Sequence, residues 1–405
     1  MSTAGADYPR SETVSTMLEG GQRRRLQLAQ GLQWLRAAGG DPFAALLRDH
    51  DEDHADLYAR LHGGAPIWRS TTGTWVVARH RAAMALAADP AVEEQFVDWR
   101  PLGIPVMPLT AHHLGLHPEG RESLLGLARA ELGEEALVGW QPQWAAAVRR
   151  RLDRAGEGGK IDLAALAADL AVDMLAAQLA LPEQDRSRLA EQAPRAGLAA
   201  DSLLCPQDLR RTRDMLAGIA DLRDLFKEQP LHLILAVLGV RVCSDLLRNA
   251  LAALLANPAG WAALRAEPGS AAAVLGETLR HDPPVRVQML VAAADTDTHS
   301  VPIATGDQIA VLLGVANRDP EVFPDPDVFR PDRVVSPDQP VLLPGWPVGS
   351  VLPLVRAQAV VALTALADRF PDLAAAGPVV RDVRAPATRA VRELPAWTDR
   401  RVSRL

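Results

Sequence analysis

The stretch Val274-Leu275-Gly276-Glu277-Thr278-Leu279-Arg280-His281-Asp282-Pro283-Pro284 constrains this chain more than any other part of it. Glu277 and Arg280 stand three apart among Val274, Leu275 and Leu279, so on a helix their side chains meet on one partly buried face. The proline pair ends that helix, because proline has no amide proton to give and disfavours helical backbone before it. A lone pair at this spacing is most often a surface ion pair worth about a few tenths of a kcal/mol. The downstream sequence argues against that reading.

Residues 316–333, Ala316-Asn317-Arg318-Asp319-Pro320-Glu321-Val322-Phe323-Pro324-Asp325-Pro326-Asp327-Val328-Phe329-Arg330-Pro331-Asp332-Arg333, are too broken by proline to form a ladder. Phe323 and Phe329 are the large apolar anchors, and side chains must hold the rest in shape. Glu277 and Arg280 are placed to brace Arg330 from the helix. Leu354-Val355-Arg356-Ala357-Gln358 and Arg369-Phe370-Pro371 follow in order. Together these segments resemble the K helix and proline-rich meander of the cytochrome P450 superfamily, and the likeness runs from about Asp41 to Leu373, weakly again from Gly377 to Pro395. It implies a mainly α fold with small β-sheets, held by a structural network of Glu277, Arg280 and Arg330.

A chain of 405 residues would ordinarily divide, yet no linker is visible and the superfamily's fold is one large unit. The expectation is a flexible tail over 1–20 and a single domain over 21–405. The net charge of −7 argues against a general nucleic-acid binder. The first twenty residues lack the basic and apolar regions of an export signal. The longest apolar run, Leu233 to Val240, is too short to span a bilayer. Cys205 and Cys243 do not make a disulfide framework, and a cytoplasmic protein is expected.

Along the chain, Arg23 to Trp34 has helical apolar spacing, which composition alone reads as a solvated helix. His50-Asp51-Glu52-Asp53-His54 and the cluster His112, His113 and His117 could be drawn as metal sites, but a charged solvated face and a loop are the better readings. Gly156-Glu157-Gly158-Gly159-Lys160 lacks the first glycine and the hydroxyl of a phosphate loop. Ile67 to Ala78 alternates as a hairpin followed by a helix over 79–88. Helices are expected at 119–132, 134–153, 161–179, 183–192 and 207–226, and a long apolar one from Leu231 to Asn257. The last corresponds by position to the superfamily's central I helix.

Carrying the resemblance to the haem site gives a consistent series of losses. Without gaps, the superfamily's cysteine loop falls on Leu342-Leu343-Pro344-Gly345-Trp346-Pro347-Val348-Gly349, so Gly349 stands where the iron-ligating thiolate belongs. Gly120 and Leu124 occupy slots of propionate-binding residues, and a further propionate arginine is replaced within Met289-Leu290-Val291, at Leu290. In the central helix, Arg241 and Val242 take the positions of the acid and the threonine of oxygen activation. Propionates buried without cations would cost several kcal/mol. The resemblance therefore implies a degenerate haem site, with no cofactor and no catalytic residue.

The chain resembles a branch of cofactor-free auxiliary proteins that partner TDP-deoxysugar glycosyltransferases in macrolide and anthracycline biosynthesis of actinomycetes. Gly31-Leu32-Gln33-Trp34 and Gly40-Asp41-Pro42-Phe43 share in that likeness, which makes the N-terminal helix a candidate partner segment. The alternatives are a monooxygenase with atypical ligation and a haem-free enzyme using the vacated cavity. If the haem space is empty of haem, close packing predicts that the apolar loop over 342–351 and the Leu231–Asn257 helix close toward each other.

Overall fold

A computed structural model describes residues 22–48, 54–94, 121–155, 159–202, 204, 207–227, 229–338, 340–345, 347–382, 385 and 387–399. The expected tail over 1–20 lies outside them. The elements begin with helices α1 (Gln22–Ala38), α2 (Pro42–Arg48) and α3 (His54–His62), then strands β1 (Ile67–Arg69) and β2 (Trp75–Val77), helix α4 (His80–Ala87) and strand β3 (Val92–Glu94). The predicted hairpin forms, with Ile67 opposite Val77 and Gly73 in its turn at φ +88°, a conformation glycine adopts without steric cost.

The helical body comprises α5 (Arg121–Glu131), α6 (Glu134–Arg154), the short strand β4 (Lys160–Asp162), α7 (Leu163–Gln178), α8 (Glu183–Ala196), α9 (Ala199–Ser202) and α10 (Leu209–Phe226). Two aspartates start helices as N-caps: Asp162 accepts from Ala164 N at 3.0 Å, and Asp208 from Arg211 N at 2.9 Å. α7 is apolar on nearly every side because it is wrapped, with α6, α8 and the central helix all packed on it.

The predicted Leu231–Asn257 helix is in fact α11 (Pro230–Ile234), a π turn over Leu235–Gly239, and α12 (Val240–Ala256). A π turn accommodates one extra residue, so the buried face before it is offset from the face after it. α13 (Pro258–Ala266) and α14 (Ala271–His281) lead to β5 (Gln288–Ala292), β6 (Thr296–Thr298), β7 (Val301–Ile303), β8 (Gln308–Val311) and α15 (Leu313–Ala316). After the meander come α16 (Val348–Arg369), β9 (Ala374–Ala375), β10 (Val380–Arg381), β11 (Val391–Glu393) and β12 (Pro395–Trp397).

The largest sheet has the order β1-β2-β8-β5-β3, with β2 and β8 parallel. A smaller sheet, β4-β12-β9, ties the C-terminal strands to the helical body. Two helices, Pro230–Ala256 and Val348–Arg369, are apolar and long enough to cross a membrane by length and composition. The first has 83% of its apolar window buried inside the protein, as a core helix does. The architecture is mainly α with small sheets, and the largest apolar core among the described residues runs from α5 through α7 and the central helix to α16, with two smaller cores about the β1-β2-β8-β5-β3 sheet.

Candidate functional site

Glu277 and Arg280 lie on the buried face of α14, and Arg280 is fully buried. Arg280 Nε and Nη2 donate to Glu277 Oε2 and Oε1 at 2.8 and 2.7 Å. Its remaining hydrogens go to the meander: Nη1 to the carbonyls of Asn317 (3.0 Å) and Pro326 (2.8 Å), Nη2 also to Val328 (3.3 Å). Burial alone would raise the Glu277 pKa, but the bonds from Arg280 and from the Arg330 amide outweigh it and hold the carboxyl below its usual value.

The third guanidinium differs from expectation. Arg330 gives Glu277 only its backbone N–H, at 2.9 Å, while its side chain is 43% exposed and reaches toward Asp325. Arg333 supplies the cation instead, with Nε 3.2 Å from Glu277 Oε1 and a side chain 4% exposed. The turn in which Arg333 N bonds Arg330 O folds the later arginine back under α14. Arg333 also donates to the carbonyls of Asp325 and Val328.

The loop that should carry the thiolate is held by protein groups. Asn317 clamps Leu342 from both sides, donating to its carbonyl at 2.8 Å and accepting from its amide at 2.7 Å. Gly345 N donates to Gln288 Oε1 at 2.9 Å. Gly349 lies in the first turn of α16, where its amide donates to Gly345 O at 2.6 Å. A Cβ at this position would stand 2.8 Å from the carbonyl oxygen of Pro344, closer than real Cβ contacts come. Gly349 thus lacks a ligand and has no room for one in the present backbone.

Of the other expected positions, Leu124 is buried on α5 in the main core. Leu290 is buried on β5 among Leu86, Leu313 and Leu342. Gly120, Trp346 and the histidines at 112, 113 and 117 lie outside the described residues, as do 49–53 and Cys205. Cys243 is buried in α12, and burial pushes its thiol up to about 12, far from the thiolate that iron needs. Among the described residues no group of three His, Cys, Asp or Glu could hold a metal ion. These side chains do not fit a haem: the ligand position is blocked, and Leu124 and Leu290 are built into apolar core.

Arg241, on the central helix, sits at the centre of a buried polar network. Its guanidinium bonds Asp245 through Nε, Asp201 at 2.9 Å and Thr388 Oγ1 at 2.7 Å through Nη2. Asp201 also accepts from Thr388 N at 2.9 Å, and Asp245 accepts from Arg248 at 2.9 Å. Both carboxylates are fully buried. Burial raises the Asp201 pKa to about 6 against the pull of Arg241. Burial works against the charge on Arg241, but Asp245 and Asp201 more than compensate and raise its pKa. The pattern Arg241, Asp245, Arg248 was readable at helical spacing; Asp201 and Thr388 arrive from other segments and carried no signal. Val242 beside it is fully buried apolar core.

Val348, Val351, Leu352 and Val355 of α16 share one core cluster with Leu235–Leu238, Val242 and Cys243 of the central helix. Two clefts flank the loop, one of about 440 Å³ between α5 and the start of α16, one of about 350 Å³ beside β5. Their described linings include no residue of the central helix. At the other end of the chain, α1 buries Leu26, Ala29 and Gln33 and exposes Leu28, Trp34 and Leu35. Arg48 covers one side of the Trp34 ring at 5.6 Å.

A cytochrome P450 family model matches residues 271–339, the α14 and meander region built above. The chain is 35% identical to Protein DesVIII of Streptomyces venezuelae over 96% of both chains. It is 32% identical to Protein AknT of Streptomyces galilaeus over 93% of this chain and 95% of that one. It is also 30% identical to the cytochrome P450 family protein EryCII of Saccharopolyspora erythraea, over 94% of this chain and 99% of that one. Among solved structures, Mycobacterium smegmatis CYP164A2 with econazole bound superposes with a TM-score of 0.75 at 24% identity, over 88% of this chain and 99% of that one. With α14 and the meander built as they are, and end-to-end identity to such relatives, this chain belongs to the cytochrome P450 family.

Proposed function

We propose that this protein is a non-catalytic auxiliary chain that binds and activates or stabilises a TDP-deoxysugar glycosyltransferase in the biosynthesis of a macrolide or anthracycline-type polyketide. The observation that carries the reading is Gly349 beneath the Pro344 carbonyl: the position that the resemblance gives to the iron-ligating thiolate is a glycine with no room for a side chain. The full-length likeness to DesVIII, AknT and EryCII, together with the resemblance of the N-terminal segments to the auxiliary branch, supports the partner class. A fold without its chemistry acts through its surface, and the outward side of α1, with Leu28, Trp34 and Leu35, offers apolar area suited to a partner helix or sheet face. If the chain binds the competent state of the transferase preferentially, it stabilises that state by mass action, by about 2.7 kcal/mol at a hundredfold excess over the Kd.

The test is sugar transfer by the partner transferase alone, with this protein, and with a version lacking residues 1 to 38. Full rates require the complete chain. Equal rates with and without it would sink the auxiliary role, whereas loss only on truncation would place the contact at the N-terminus.

A further inference from the structure

The segment between β10 and β11 reaches two different buried polar groups. Thr388 enters the Asp201–Arg241 network, and the next residue, Arg389, enters a second one. Beside Arg389 stand Arg381 and Arg286, and Arg318 joins these three around Asp282. Arg381 Nη2 donates to Asp282 Oδ2 at 2.6 Å and its Nη1 to the Arg389 carbonyl at 2.8 Å. Arg286 bonds the Tyr58 hydroxyl, and the guanidiniums of Arg286 and Arg318 lie 5.7 and 5.5 Å from the Tyr58 ring centre. Asp282 feels all four cations, which hold its carboxyl well below the usual range although burial opposes them.

Arg389 itself is the anomaly. Its backbone has φ +48°, the left-handed region that a residue with a Cβ avoids. Its guanidinium makes no hydrogen bond or ion pair among the described residues, in contrast to Arg381 beside it. Burial and the neighbouring charges of Arg286 and Arg381 lower its pKa to about 10. Backbone strain and gathered like charge both cost stability, and such costs persist where a ligand repays them. The group is reachable: Arg389 is only half-buried, and Arg381 keeps 23% of its side chain exposed.

We propose that Arg389, with Arg286 and Arg381 beside it, forms a binding site for a small oxyanion of two negative charges, phosphate-like or a dicarboxylate. Tyr58 and Asp282 hold Arg286 and Arg381 in place, and the planar guanidinium fork of Arg389 is left to grip two oxygens at once. The site is separate from the clefts beside the Gly345 loop and goes beyond the auxiliary role, so it is tested on this chain alone.

Melting temperature and calorimetric titration are followed at constant ionic strength with pyrophosphate, inorganic phosphate and succinate, against matched chloride. At least one probe binds saturably and raises the melting temperature, and comparing the phosphates with succinate tells which oxyanion class the site takes. Arg389→Gln weakens that binding about tenfold or more, the share of one charge-assisted contact. Absence of saturable binding by all three probes, or equal affinity in Arg389→Gln, overturns the proposal. Arg389→Gly gives an independent check, since glycine adopts the left-handed backbone freely. In chloride it melts at or above wild type, and in saturating probe below it. A lower melting temperature in chloride makes Arg389 a structural residue and the site a misreading.

Discussion

Asn317 touches both of the regions whose contrast explains this protein. Its backbone carbonyl accepts from Arg280, and its side chain clamps Leu342 of the former ligand loop. On the first side, the buried charges answer to other groups of the same chain: Glu277 to Arg280 and Arg333, Arg280 to three meander carbonyls. On the second side, the positions that the resemblance gives to haem contacts, Gly349, Leu124 and Leu290 among them, are glycine or apolar, and valines and leucines of α16 share one core with the central helix. The difference teaches that a polar network is held in place by what it satisfies. Removing a member of the first network leaves a buried charge without a partner, whereas apolar contacts of the second region can be exchanged without stranding a charge.

The largest expected effect tests the first side. Glu277→Ala leaves the buried Arg280 unpaired and should destabilise by about 3–5 kcal/mol, read as a marked fall in melting temperature or as loss of soluble protein. An unchanged melting curve would break the comparison, because the pair would then be dispensable.

Next comes the network that occupies the second side. The Asp201 pKa is raised in the folded protein, so between about pH 4 and 6 the folded state holds a proton that the unfolded chain has released. This carboxylate therefore makes stability fall as pH rises through that window. Asp201→Asn removes that component: wild-type stability falls as pH climbs from 4 to 6, while the variant lacks that fall and so improves relative to wild type. Chemical denaturation at several pH values measures both, and a parallel pH profile would show that Asp201 titrates normally.

Gly349→Cys sharpens the contrast with a smaller effect. The added side chain meets the Pro344 carbonyl, so a loss of about 1–3 kcal/mol is expected together with no stoichiometric haem. Wild type is expected to show no Soret band. About one haem per chain in either protein would undo the account of the second region.

The smallest effect separates Arg330 from Arg333. Arg330→Ala removes an exposed side chain and keeps the amide that bonds Glu277, so a change within about 0.5 kcal/mol is expected. Arg333→Ala should cost several times more, and the reverse order would restore Arg330 as the buried partner.

The sequence revealed the helix carrying Glu277 and Arg280 because spacing and a proline stop act locally, within one helical face. It named Arg330 where Arg333 supplies the cation, since that depends on the turn from 330 to 333. The losses expected at Gly349, Leu124, Leu290, Arg241 and Val242 could be read only against the superfamily's pattern. Arg241 was legible as a loss and illegible as a gain, because Asp201 and Thr388 are 40 and 147 residues away. The π turn at Leu235–Gly239 was hidden inside an unbroken apolar run, where one extra residue leaves the composition unchanged.

The Pro344 carbonyl over Gly349 also gives the chain's history a direction. Where a lost residue leaves its place open, a single substitution can bring the old activity back, and selection can sample the reversal. Here the Pro344 carbonyl stands in the room that a side chain at 349 would need. A lineage that regained the cysteine would first meet a penalty in foldedness, with no catalytic reward until the loop, the central helix and the cationic contacts changed as well. The loop thus works as an evolutionary ratchet.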